Sequence, residues 1–201
     1  FNVTAAVVAV TGLGFPFTEV ANAASHLLPV DGRMQEVKGG SDIRVVVDYA
    51  HTPDALSSAL SALKQSCTGA LWVVFGCGGD RDAGKRPEMG RIADSLADQL
   101  VVTNDNPRSE SPEMIAEDIL LGITGSACHV ELDRGAAIRH AVLNARSGDT
   151  VLVAGKGHEN YQLVGKNKLD FSDVSSAAEA LREREAAVSY THLTLPTTQV
   201  V

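Results

Sequence analysis

Arg81, Lys85 and Arg86 stand in a glycine-rich turn, GCGGDRDAGKR, that directly follows a run of apolar residues. Cationic side chains on such a turn bind anions, and Gly79, Gly84 and Lys85 match the G-x-x-x-x-G-K spacing of a phosphate-cradling loop. The match ends at the next residue. A phosphate loop of that class needs serine or threonine there to hold magnesium; this chain has Arg86, and then Pro87, which removes a backbone donor from the first helical turn. The segment is therefore read as a flexible turn presenting Arg81, Lys85 and Arg86. Three more stretches gather side chains able to do chemistry. DYAHTPD, residues 48–54, carries Asp48 and His51. VVTNDNPRSESP, residues 101–112, passes from β-branched residues into amides, carboxylates, a proline and Arg108. GKGHE, residues 155–159, lets backbone approach a ligand closely and puts Glu159 where it can accept from an ammonium group. No G-x-G-x-x-G fingerprint is present, which argues against a nicotinamide or flavin enzyme.

The elements that must position these stretches are legible from periodicity. Residues 45–48, 71–75, 100–103, 129–132 and 151–154 are short, nearly continuous apolar runs, the signature of strands buried on both faces. Helical patterns separate them. Thr52 can cap a helix with Pro53 at its first position and Leu56, Leu60 and Leu63 on one face. Pro87 opens a second helix, with Met89, Ile92, Ala93 and Leu96 inward. Ser111 and Pro112 open a third, carrying Ile115 and Ile119; Asp133 begins a fourth, carrying Ile138 and Val142; Ser172 caps the last, over 173–187. Strand and helix in alternation mean right-handed crossovers and a mostly parallel sheet, a Rossmann-like α/β fold flanked by helices. YQLVG and KLDFS form a short hairpin near the end, expected to be the one antiparallel element. In such sheets ligands bind beyond the carboxyl ends of the strands, where all four charged stretches fall. Each taken singly fits an ordinary polar turn; together they point to one site.

Composition narrows the partners. With 201 residues, 44% of them hydrophobic, the chain can bury a substantial core. Its net charge of -8, without a basic stripe, gives nucleic acid no electrostatic footing. Cys67, Cys77 and Cys128 lack metal or redox spacing and suggest free thiols in a reducing compartment, the cytoplasm. The opening FNVTAAVVAVTGLGFPF has no basic flank and is broken by Gly12, Gly14 and Pro16, so neither a signal peptide nor a membrane span is expected. VSYTHLTLPTTQVV, residues 188–201, is threonine-rich without any acidic residue, lysine or arginine; it is expected to be non-native.

VVVDYAHTPDAL, VFGCGGDRDAGKRPEMG, TNDNPR and VAGKGHENYQ, in that order and spacing, resemble the carboxyl-terminal part of the Mur ligases, specifically the branch that adds diaminopimelate. The resemblance runs over residues 1–187. It implies residues 1–29 as the end of a central ATPase domain, residues 30–187 as the carboxyl-terminal amino-acid-binding domain, and a linker at VDGRM. It also implies a reaction in peptidoglycan synthesis: ATP, with Mg2+, phosphorylates the D-glutamate carboxylate of UDP-N-acetylmuramoyl-L-alanyl-D-glutamate, and an amine of meso-diaminopimelate attacks the acyl phosphate. The phosphate loop and magnesium ligands of the family would lie upstream. No catalytic or metal-binding residue is thus assigned within this chain, which alone is expected neither to hydrolyse ATP nor to ligate.

Residue by residue, the resemblance carries DNPR onto Asp105, Asn106, Pro107 and Arg108. Arg108 would clamp the distal carboxylate that lysine lacks, Asp105 and Asn106 would bond the neighbouring ammonium or order the loop, and Pro107 would fix its path. Lysine-adding relatives lack this arginine. Arg81 matches the position gripping the other carboxylate end, while Gly155 and Glu159 match contacts to the amino acid. Arg33, Asp48 and His51 resemble positions that reach ATP, although Asp48 equally suits a cap on the following turn and His51 an ordinary loop imidazole. Two alternatives stay open: another amide ligase of the family, adding D-Ala-D-Ala or glutamate to a folate, and a non-catalytic Rossmann-like binding module.

Overall fold

The computed structural model describes residues 2–27, 30–39, 42–125 and 127–193, in two compact units, Phe1–Val30 and Asp31–Val201. The first unit holds two helices, α1 (Asn2–Gly12) and α2 (Phe17–Ser25), joined by a turn in which Gly14 takes a φ of 96°. An apolar groove of about 380 Å3 lies between them, lined by Val3, Val7, Val10, Phe15, Val20 and Leu27 among others. Among the described residues no helix is long and apolar enough to cross a membrane.

The second unit is built on a six-stranded sheet. Its strands are β1 (Gln35–Glu36), β2 (Arg44–Asp48), β3 (Leu71–Phe75), β4 (Gln99–Val102), β5 (Cys128–Val130) and β6 (Thr150–Ala154), ordered β1-β2-β6-β3-β4-β5. From β2 to β5 every neighbouring pair is parallel; β1 alone runs antiparallel, against β2. The apolar runs explain the burial. Alternate residues of one strand serve opposite faces, so Leu71, Val73 and Phe75 join one core while Val74 joins the other. A row of valines, Val47, Val153, Val74 and Val101, crosses the sheet in register.

Helices α3 (Pro53–Ser66), α4 (Lys85–Leu96) and α5 (Pro112–Leu120) cover one face; α6 (Arg134–Asn144) and α7 (Asp173–Leu193) cover the other. The four expected caps are in place: the side chains of Thr52, Ser111, Asp133 and Ser172 accept from the backbone amides of Ala55, Met114, Ala136 and Ser175. The expected hairpin is β7 (Tyr161–Val164) with β8 (Asn167–Asp170), turning at Gly165 with φ 58°.

Four details depart from the sequence reading. The hairpin is not the one antiparallel element, because β1, too short for any periodic signal, also pairs antiparallel. β5 is an edge strand with His129 and Val130 exposed, since only β4 pairs with it. α4 begins at Lys85, ahead of Pro87, because proline fits anywhere in a first turn, where no intrahelical donor is needed. α7 continues past residue 187 to Leu193; residues 194–201 of the tail expected to be non-native lie outside the described residues.

Candidate functional site

Because β2, β3, β4 and β6 are parallel, the loops after them open at one edge of the sheet. The chain moves outward through β2, β3, β4 and β5 with helices on one face. It then returns across the other face by α6, placing β6 between β2 and β3. That reversal splays the loops and leaves a crevice. A cavity of about 530 Å3 occupies it, with residues from all four loops in its wall. Of the residues singled out from the sequence, Arg81, Lys85, Asp105, Asn106, Arg108, Gly155, Glu159 and His51 line it; Arg86, Pro107, Asp48 and Arg33 do not.

Glycines let the loops after β3 and β4 touch. A Cβ on Gly76 would lie 2.0 Å from the Thr103 carbonyl oxygen, and one on Gly79 would lie 2.0 Å from that of Pro107. Only residues without a side chain permit such approach. Gly78 sits beside both arginines: a Cβ there would meet Arg108 Nη1 at 2.9 Å and Arg81 Cγ at 3.8 Å. Arginine side chains from two sequence-distant loops thereby meet at Gly78 in the wall of one cavity.

The DNPR loop is held from several directions. Arg108 takes a φ of 51°, uncommon for a residue with a side chain, and its Nη1 donates to the Gly79 carbonyl at 2.7 Å. The hairpin clamps this conformation. Arg108 N donates to the Leu163 carbonyl at 3.1 Å, Gly165 N donates to the Arg108 carbonyl at 2.7 Å, and Gln162 Nε2 donates to the Asp105 carbonyl at 2.8 Å. Pro107 is buried behind the loop. Asn106 orders the loop through its amide: Oδ1 accepts from Leu163 N at 2.8 Å and from Lys156 Nζ at 2.9 Å, while Nδ2 donates to Glu159 Oε2 at 3.1 Å.

Asp105 differs from its neighbour. Its Oδ1 is buried and has no hydrogen-bond donor among the described residues, although Lys156 Nζ lies 3.1 Å away. That contact is an ion pair, with the ammonium off the axis a hydrogen bond requires. A buried carboxylate oxygen short of a donor is costly unless a ligand supplies one. Gly155, with a φ of 123°, donates its amide to the Asp48 carbonyl at 3.0 Å and leaves room for Asp105 Oδ2, which a Cβ would meet at 3.5 Å.

Beneath these loops lies an ion pair that sequence reading missed. Arg134 and Asp173 are both fully buried; Arg134 Nε and Nη2 donate to Asp173 at 2.7 and 2.8 Å. The same guanidinium donates to the carbonyls of Asn104 at 3.0 Å and Ala154 at 2.9 Å, joining the ends of β4 and β6. Burial pulls its pKa down, but Asp173 outweighs burial and the net direction is upward. Arg86, expected on a flexible turn, is a correction. It points inward at 2% exposure, pairing with Glu110 at 2.8 Å and Asp118 at 2.9 Å, because the earlier start of α4 turns it toward α5. Lys85 is tied as well, donating to the His51 carbonyl at 2.8 Å. Cys77, at the root of this loop, is buried and has its thiol pushed up to about 12 by that burial.

On the side where nucleotide contacts were expected, Arg33 lies over the Tyr49 ring at 4.7 Å. Asp48 is buried and accepts from Met34 N at 2.8 Å, so it holds the preceding linker rather than the following turn. His51 Nδ1 is 2.8 Å from the Tyr49 carbonyl, and its ring meets that of Tyr49 edge-on at 4.6 Å. Among the described residues no group of three histidine, cysteine or carboxylate side chains could hold a metal ion.

An open parallel sheet with charged loops crowded at the carboxyl ends of its strands is a ligand-binding α/β domain, and the chain belongs to the Mur ligase family. The family model for "Mur ligase, glutamate ligase domain" matches residues 32–157. The chain is 50% identical over 181 residues to the UDP-N-acetylmuramoyl-L-alanyl-D-glutamate–2,6-diaminopimelate ligase of Vibrio vulnificus strain YJ016, covering 90% of this chain and 37% of that protein. It is 51% identical over 187 residues to the ligase of the same name from Gloeobacter violaceus, covering 92% and 38%. A solved structure of a ligase so named superposes with a TM-score of 0.74 at 42% identity, over 90% of this chain and 38% of that one. The chain thus spans little more than a third of the length of these relatives, over their carboxyl-terminal portion.

Proposed function

We propose that this chain is the amino-acid-binding part of an ATP-dependent ligase that joins meso-diaminopimelate to UDP-N-acetylmuramoyl-L-alanyl-D-glutamate in peptidoglycan synthesis in the cytoplasm. One observation carries the reading. A single cavity sets the side chains of Arg81 and Arg108 beside Gly78 and also holds the carboxylates of Asp105 and Glu159, one of them with a buried oxygen that lacks a donor. A wall of two kinds fits a ligand with carboxylates and ammonium groups at both ends. Arg108 takes the distal carboxylate, Arg81 the other, and Asp105 accepts from an ammonium. Asn106 orders the loop instead of touching the ligand through its oxygen, which two donors already occupy.

Selectivity follows from an unpaired charge. Lysine bound here leaves Arg108 without its carboxylate in a partly dry site, and that penalty discriminates better than a difference in size. In the reaction, ATP transfers its γ-phosphoryl group to the D-glutamate carboxylate, giving an acyl phosphate and ADP. The diaminopimelate nitrogen then forms the amide bond as inorganic phosphate leaves and the ammonium proton is lost. This chain's share is to hold the diamino acid and direct its amine. Residues 1–29 belong to the ATP-binding domain in this reading, residues 30–187 form the domain that delivers the amino acid, and residues 188–201 are foreign. Arg33 and His51 approach the nucleotide, with Asp48 supporting them. The magnesium that accompanies ATP finds no ligand cluster among the described residues. The test is a ligation assay with the longer enzyme carrying this chain, offered meso-diaminopimelate or L-lysine. Incorporation of diaminopimelate at least 100-fold more efficiently is expected; equal use of lysine would overturn the reading.

A further inference from the structure

Lys156 drew no attention in the sequence, where its neighbours Gly155 and Glu159 did. In the structure it is 0% exposed, yet it stands directly behind the cavity wall. Its ammonium donates to Asn106 Oδ1 at 2.9 Å and to the Tyr161 carbonyl at 2.9 Å. Asp105 Oδ1 lies 3.1 Å from it and Glu159 Oε2 lies 3.6 Å. The DNPR loop, the loop after β6 and the start of the hairpin therefore meet on one nitrogen.

Two consequences follow from what an ammonium can do. It only donates, and so does the Leu163 amide; together they fix which way the Asn106 amide faces, leaving Nδ2 to donate to Glu159. It is also the positive charge shared by the carboxylates of Asp105 and Glu159. The other groups facing this cluster are Arg134, whose guanidinium feels both Asp105 and Glu159, and the Tyr161 ring, whose centroid is 5.8 Å from Nζ. Fold stability alone does not account for such a lysine, because apolar residues replacing a buried ion cluster are often neutral or stabilising.

We propose that Lys156 is a positioning residue for the amine-binding side of the cavity: it sets the Asn106 amide, and through it Glu159, and is the positive charge beside which Asp105 and Glu159 face the ligand's ammonium. This rests on the reading of the cavity as a diamino-acid site. The test is calorimetric titration of the longer enzyme carrying this chain with meso-diaminopimelate at pH 7. Lys156→Met is expected to bind at least tenfold more weakly than wild type, and Lys156→Arg, which keeps the charge and the donors, to recover most of that loss. Binding by Lys156→Met within twofold of wild type would overturn the proposal. Should Lys156→Met not fold, a folded Lys156→Arg that has lost binding would do the same. If wild type does not bind meso-diaminopimelate at all, the reading of the cavity fails instead. The positioning role is then read without ligand, from exchange of the Asn106 side-chain amide protons: at least tenfold faster in Lys156→Met if the role holds, unchanged if it does not.

Discussion

Arg108 and Arg81 reach the same cavity beside the same glycine, from loops of opposite character. Around Arg108 the backbone is committed: a φ of 51°, two main-chain hydrogen bonds to the hairpin, and a side chain already donating to Gly79. Arg81 is exposed, and its one side-chain hydrogen bond among the described residues is a 3.3 Å contact with the neighbouring Asp80 carbonyl. The chemistry of the two groups is identical, but the entropy still to be lost is not. Ordering a long side chain at binding costs about 0.5–1.5 kcal/mol, a cost that Arg81 still faces at binding and Arg108 has largely met on folding. Under the proposed function, the fixed arginine is suited to discriminate between ligands and the loose one to capture them.

Undermining the fixed side should have the largest effect. Asp173→Ala leaves Arg134 as an uncompensated charge under the ends of β4 and β6, and the expected loss of unfolding stability is about 3–5 kcal/mol in a urea titration. A loss below about 1 kcal/mol would mean that the ion pair is not what anchors those ends. Prying the two loops apart comes next. Gly79→Ala sets a methyl group 2.0 Å from the Pro107 carbonyl oxygen, so a loss of about 1–3 kcal/mol is expected, together with loss of the Arg108 contact to residue 79. Unchanged stability would show that the loops move apart freely and that Arg108 is no more fixed than Arg81.

The smallest effect concerns an exposed tie between the loops. Hydrogen bonds from the hydroxyl and then the amide of Ser109 hold the Asp80 carboxyl below its ordinary value. A carboxyl lowered in the folded state stabilises it fully above the pH where a free aspartate titrates, and the contribution is lost as pH falls through the lowered value. Ser109→Ala should therefore move the Asp80 titration upward, as followed by NMR, with little change in stability because Asp80 is solvent-exposed. A titration that stays where it was would remove this tie from the comparison.

What was legible in the sequence was local. Thr52, Ser111 and Asp133 announce their helices through capping chemistry that acts within three residues, and the apolar runs of β2, β3, β4 and β6 announce a doubly covered sheet. That the four charged loops share one rim follows from parallel strands. Hidden were the features set by partners far along the chain. Lys156 meets Asn106 across 50 residues, and Arg134 meets Asp173 across 39. A buried charge looks no different in sequence from an exposed one until its counter-ion is known. Arg86 reads as exposed, and Asp48 as a cap of the following turn, for the same reason: their partners, Glu110 and the Met34 amide, lie elsewhere along the chain. β5 reads with the buried runs although residues 129–132, HVEL, alternate polar and apolar; its edge position follows from strand order.

The central claim is that a fixed Arg108 selects a ligand with a carboxylate at its far end. Calorimetry of wild type, Arg108→Ala and Arg81→Ala, each titrated with meso-diaminopimelate and with L-lysine, tests it most directly. Arg108→Ala is predicted to lose roughly 10- to 150-fold in affinity for the diacid, the range for hydrogen bonds to a charged group, and with it most of the preference over lysine. Arg81→Ala is predicted to lose less, and to keep the preference. Equal losses in the two variants, or an Arg108→Ala chain that still favours the diacid as wild type does, would contradict the account.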